Sequence, residues 1–194
     1  MQDLNIEFKG PFSFTSCEGP SIFSAALGKE AGVYLWTVPY RQGGHIVVYV
    51  GETGVSFAKR LKDHMTLVMG GSYRFTDVDR MFDGEEKVIW NGTWRKGTRD
   101  KMEEFLAQLP QFASKIQAYL RSIRIFVGPT TVDVGIRRRI EGALALGVRK
   151  SPKPFCSLYP EDNRYPLLKA GIKTFKLRIK TPVQIHGLKN EYEA

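Results

Sequence analysis

The sequence predicts an α+β fold in which a small central antiparallel β-sheet is flanked by helices, with extra strands near the N- and C-terminal ends. Three observations predict it. Two runs rich in β-branched and aromatic residues, Gly32-Val33-Tyr34-Leu35-Trp36-Thr37-Val38 and Ile46-Val47-Val48-Tyr49-Val50, enclose the turn formers Pro39-Tyr40-Arg41-Gln42-Gly43-Gly44, the pattern of a hairpin. Phe57, Leu61, Met65 and Val68, and later Ile136, Ile140, Ala143 and Leu144, recur at helical spacing, so each set forms one apolar stripe. Ile123-Arg124-Ile125-Phe126-Val127 is a strand-like run set between two helical patterns.

The remaining elements follow in order. Leu4-Asn5-Ile6-Glu7-Phe8 alternates as a strand, and Phe12-Ser13-Phe14 extends or restarts it beyond Gly10-Pro11. Residues 21–27 read as a short helix ending near Gly28. The second hairpin strand is apolar on both faces, which places it centrally in the sheet. Gly51-Glu52-Thr53-Gly54 breaks it, and Ser56 is a good N-cap for the helix bearing Phe57. In residues 71–98, Gly84-Glu85 and Asn91-Gly92 are turns around Val88-Ile89-Trp90. A helical pattern covers about 100–121, with Pro110 bending or dividing it, and another covers 132–148. A last strand over 173–179 puts Phe175, Leu177 and Ile179 on one face and Lys176, Arg178 and Lys180 on the other. No repeat, low-complexity tract or linker intervenes, so 1–194 reads as a single domain.

Composition narrows the function. A hydrophobic fraction of 42% is that of an ordinary globular protein. No stretch nears the roughly 20 apolar residues of a membrane span, and Met1-Gln2-Asp3-Leu4-Asn5 has no basic lead into an apolar run, so neither membrane nor secretion is expected. Cys17 and Cys156 stand in no metal or redox spacing, which suits a reducing, cytoplasmic setting. Twenty-nine Lys and Arg against 20 acids give a net charge of +9. A field of that sign attracts polyanions, nucleic acid above all.

The groups able to act on a phosphate are concentrated in a few places. A hairpin turning near Arg41-Gln42 would set Tyr34 opposite Tyr49 on one face. Arg60 and His64 are spaced i,i+4, so they project from one side of their helix. An arginine there can clamp a phosphate, and a histidine one turn on can hold or relay a proton. Glu141 lies at the margin of its helix's apolar face, where a lone carboxylate suits Mg²⁺ completed by water and substrate oxygens. Its structural alternative is an i,i+4 ion pair with Arg137.

The order of these residues, Gly32-Val33-Tyr34, Tyr49-Val50-Gly51, Arg60 nine residues after Gly51, His64 and a helical Glu141, resembles the GIY-YIG nuclease family over residues 30–165. The resemblance implies three antiparallel strands flanked by helices, cleaving phosphodiesters with one divalent metal, Mg²⁺ or Mn²⁺. It further implies that Tyr34 and Tyr49 line the site, one helping to activate water, that Arg60 stabilises charge on the scissile phosphate, and that Glu141 holds the metal. His64 matches a histidine that some branches place one turn after the arginine, and Asn163 matches an asparagine beyond the glutamate helix. Residues 71–121 exceed the minimal core and read as an insertion, and 166–194 as a C-terminal strand extension.

The expected partner is nucleic acid, DNA foremost, with a homodimer as one way to cut both strands. Arg137-Arg138-Arg139, Arg149-Lys150 with Lys153, and the row Lys176, Arg178 and Lys180 are candidate phosphate contacts. Charges that protect an edge strand are the structural alternative for the last row. Tyr73, Trp90 and Trp94 read as base-stacking residues or as core. Two other readings compete: a non-catalytic nucleic-acid-binding module on the same fold, and a scaffold whose basic surface meets an acidic protein.

Overall fold

The computed structural model describes residues 2–93, 101–160 and 174–194. The fold is α+β, with four α-helices among the described residues and three sheets, the largest of five strands and curled. In chain order the strands are β1 (Gln2–Glu7), β2 (Lys9–Phe12), β3 (Gly32–Pro39), β4 (His45–Thr53), β5 (Phe75–Thr76), β6 (Val88–Trp90), β7 (Arg124–Pro129), β8 (Phe175–Lys180), β9 (Ile185–His186) and β10 (Glu191–Glu193). The helices are α1 (Phe57–Met69), α2 (Val78–Phe82), α3 (Lys101–Ser122) and α4 (Val134–Arg149).

The central sheet runs β2-β7-β3-β4-β9. Its middle, β7-β3-β4, is antiparallel throughout, while β9 lies parallel to β4. Strand β3 is buried almost end to end because both faces are covered. On one face Tyr34, Trp36 and Val38 join Phe57 and Leu61 of α1 and Phe112 and Ile116 of α3. On the other, Val33 and Leu35 join Ile140 and Leu144 of α4 and Leu177 and Ile179 of β8. The second sheet, β1-β8-β10, unites the two ends of the described chain, and β8 lies at its centre rather than its edge.

The register of the hairpin differs from the expected one. Its tip is centred on Gln42, with Tyr40 N–H bonded to the Gly44 carbonyl, which shifts the pairing by one residue, and a bulge near Val48 adds a further residue to β4. Tyr34 therefore faces Gly51, and Tyr49 faces Trp36. The bulge also resets the alternation of β4, so Val47 points to the α4 side while Tyr49 turns to the α1 side. Strand β4 also continues to Thr53 instead of breaking at Gly51.

Other elements depart for local reasons. The stretch 21–27 gives only a turn and a 3-10 helix at Ala26–Lys29. Pro110 leaves α3 undivided, because it sits on the exposed face. There water can serve the carbonyl that the missing N–H leaves without a donor. The insertion adds α2 and the β5–β6 ribbon, and its Trp90 is core: the indole N–H donates to the Gly71 carbonyl at 2.7 Å, beneath Phe105 and Phe112. Trp94 and Asn163 lie outside the described residues. No described helix is long and apolar enough to cross a membrane.

Candidate active site

Four elements bring polar groups to one end of the central sheet. Strand β3 supplies Tyr34, β4 supplies Tyr49, α1 supplies Arg60 and His64, and α4 supplies Glu141. The two motif glycines are what let the strands approach. Gly32 has φ +150°, and a Cβ there would collide with the Gly128 carbonyl of β7. Gly51 lies beneath the Tyr34 ring, and a Cβ there would stand 2.5 Å from the phenol oxygen. The Tyr34 side chain thus crosses β4 where only hydrogen stands in its way.

The Tyr34 phenol is the hub. Its ring is 6.1 Å from that of Tyr49, and its oxygen is 2.8 Å from Nε2 of His64. The Arg60 guanidinium lies near enough for its charge to act on the phenol. Both Tyr34 and His64, at 0% and 2% exposure, are sealed from solvent, whereas Tyr49, Arg60 and Glu141 are half-buried. The helix α1 that carries two of these groups is fixed by Ser56, whose hydroxyl accepts from the Lys59 N–H, and by burial of Phe57 and Leu61.

Burial sets the protonation states. It lifts the Tyr34 phenol well above its ordinary value, helped by Tyr49, and Arg60 offsets only part of the rise. Tyr49 is pushed up to about 12 by burial and then by the charges of Glu141 and Tyr73. Both phenols therefore keep their protons near neutral pH, although a tyrosine base calls for a lowered value. His64 is brought down to about 4 by burial and by Arg60, so its imidazole is neutral. Glu141 is raised to about 7 by burial and by the neighbouring charge of Glu52, against the pull of Arg138, Arg60 and the Glu52 backbone N–H.

Glu52 is the residue that the sequence did not single out, though it directly follows Tyr49-Val50-Gly51. Its carboxylate meets Arg137 Nε at 3.1 Å and Arg138 Nε at 3.6 Å. The expected Arg137–Glu141 pair therefore does not form, and Glu141 has no ion-pair partner among the described residues. The described residues include no cluster of three or more His, Cys, Asp or Glu. Glu141 nonetheless suits a divalent ion: it is a half-buried oxygen donor short of positive charge. A Mg²⁺ ion commonly takes one or two carboxylates and completes its shell with water and substrate oxygens.

The predicted basic surface divides. Arg139 is buried at 5% exposure, with its guanidinium 5.3 Å from the centroid of the Phe175 ring, so it braces α4 rather than meeting solvent. Arg137 is half-buried, between Glu52 and the Val132 carbonyl. Arg138, 53% exposed, is the outward member of the triplet. Arg149 and Lys150 are exposed at the far end of α4. On β8, Lys176, Arg178 and Lys180 do face out, but acids flank them. Lys176 lies between Asp3 and Glu193, Lys180 faces Glu7, and Arg178 bonds Glu191 at 3.0 Å and Asp3 at 3.3 Å.

No protein-family model matches the chain, and neither a curated protein nor a solved structure does.

Proposed function

We propose that this chain is a GIY-YIG-type endonuclease that hydrolyses phosphodiester bonds in DNA with the help of one Mg²⁺ or Mn²⁺. The observation that carries the reading is the arrival of Tyr34, Tyr49, Arg60 and Glu141, from four elements, at one end of the central sheet, with the two tyrosine rings 6.1 Å apart and the charges of Arg60 and Glu141 acting on them. A phosphodiester resists attack because its anionic oxygens repel the nucleophile, so catalysis requires preorganised positive charge. Arg60, beside Tyr34, supplies part of it. Glu141 would hold the metal, which when bound supplies further charge opposite the phosphate. Tyr49, the half-exposed tyrosine, orients the attacking water, while Tyr34, sealed beneath, positions Arg60 and His64. Arg138 contacts the DNA backbone next to the cleaved bond.

Plasmid nicking with Mg²⁺ or Mn²⁺ tests this, with Glu141→Ala and Arg60→Ala beside the wild type and an EDTA control. Metal-dependent cutting that both variants lose supports the reading. The sealing of Tyr34 and His64 favours a second one, a non-catalytic nucleic-acid-binding module in which they are a packed core pair. Pure wild type that binds DNA, yet cuts neither plasmid, single strands, branched DNA nor RNA, would establish that alternative.

A further inference from the structure

The Glu52 carboxylate meets the helix that carries Glu141 at two points, Arg137 Nε at 3.1 Å and Arg138 Nε at 3.6 Å. Arg137 is one turn before Glu141 on α4, the spacing at which arginine and glutamate ordinarily pair on a helix. An arginine left to itself there would supply the positive charge that Glu141 lacks and take up the oxygens a cation needs. The structure instead holds Arg137 away from Glu141 through two bonds, to Glu52 at 3.1 Å and to the Val132 carbonyl at 2.6 Å. Both partners of the Glu52–Arg137 pair are largely buried, with side-chain exposures of 15% and 12%. Solvent therefore screens this pair far less than an exposed one.

We infer that Glu52 is a positioning residue that sequesters Arg137 and so keeps the Glu141 carboxylate open to a divalent cation. This rests on the proposed role of Glu141 as the metal ligand. The sequence pattern Tyr49-Val50-Gly51-Glu52 then does two things at once: the tyrosine and glycine build the floor of the site, and the next residue guards its carboxylate. Glu52 touches neither substrate nor metal in this arrangement. The role inferred for it runs by way of Arg137, and that makes it separable from a ligand role and from the direct effect of its charge on Glu141.

The test is Mn²⁺ affinity, measured by calorimetry or by the loss of free-ion EPR signal, with thermal melts to verify folding. Glu52→Ala should weaken Mn²⁺ binding about tenfold. Adding Arg137→Gln should restore it to within about twofold of the wild type, whereas adding Arg138→Gln, which changes charge equally, should not. Restoration by both double variants would mean charge balance alone is at work and would overturn the inference. Failure of Glu52→Ala/Arg137→Gln to recover would make Glu52 itself a ligand, with the same consequence, as would a Glu52→Ala variant that binds like the wild type. Wild type that takes up no Mn²⁺ would remove the metal reading, and this inference with it.

Discussion

The Tyr34 phenol oxygen lies 2.8 Å from Nε2 of His64, and neither side chain reaches solvent. The imidazole is neutral and the phenol protonated, so one hydrogen serves the pair. Tyr34→Phe keeps the ring's packing but leaves the buried His64 imidazole with one partner fewer. The loss should be about 1–3 kcal/mol, read as a lower urea midpoint at unchanged slope. A shift of only a few tenths would show that the hub contributes little to stability.

The same burial dictates how stability responds to acid. His64 and His45 both have folded values near 4, in each case lowered first by burial from 6.5. Each stabilises the fold fully above 6.5, and that contribution is lost as pH falls from 6.5 toward 4. Glu141 runs the other way: its value rises from 4.5 to about 7, so its contribution is present below 4.5 and disappears as pH climbs toward 7. Between 4.5 and 6.5 the unfolded chain binds two more protons at the histidines and one fewer at the glutamate. The net slope should be at most about 1.4 kcal/mol per pH unit, stability falling with acid, because water screens the half-exposed His45. Urea titrations at pH 6.5 and 5 measure it, and a flat profile would contradict the buried, neutral histidines.

Glu141→Gln separates stability from function. At pH 8 the variant should be as stable as the wild type or more so, by up to about 3 kcal/mol, because an uncompensated carboxylate has gone. The advantage should vanish near pH 4.5, where the wild-type carboxyl is protonated in the folded state. Activity should meanwhile drop about 10² to 10³-fold, the usual effect of losing one preorganised group. A variant that loses stability at pH 8 and keeps its activity would identify Glu141 as an ordinary structural residue.

The sequence already contained most of the framework, and the reasons for its gaps are local. The hairpin and β7 follow from their β-branched and aromatic runs and from turn chemistry, and α1 with its Ser56 cap and α4 from helical periodicity, because each helix buries a single clear face. The hairpin register did not follow, since a bulge near Val48 has no marker in a run of valines. Tyr34, Tyr49, Arg60, His64 and Glu141 were legible through the order of their motifs. Glu52 was not, because its role depends on a partner 85 positions away. Arg139 looked like one of three equal surface arginines, and only the packing of α4 against β8 distinguishes it.

Gly51 offers a strict geometric test of the floor of the site. A Cβ at this position would stand 2.5 Å from the Tyr34 phenol oxygen, and the ring has no free space because Phe57 and His64 pack on it. Gly51→Ala should destabilise the protein by at least about 1–3 kcal/mol, as overpacking does. It should also dislodge Arg60, cutting activity more than stability explains. Full activity at normal stability would show that Tyr34 is not held over β4 as described.

Charge placement yields the last expectation. The β8 row carries three cations, Lys176, Arg178 and Lys180, but Asp3, Glu7, Glu191 and Glu193 lie on the strands to either side. A phosphate backbone approaching this sheet meets nearly balanced charge, so the row adds little to the attraction that net charge creates. Arg138 and Arg149 are eleven residues apart, three helical turns, and so present to solvent on one side of α4. Replacing Lys176, Arg178 and Lys180 by Gln should leave DNA affinity within about twofold. Replacing Arg138, Arg149 and Lys150 should weaken it and lower the slope of log affinity against log salt by about one for each phosphate that is no longer neutralised. Fluorescence anisotropy over a salt series measures both. A steep loss from the β8 variant with none from the α4 variant would move the DNA-binding face to the other sheet.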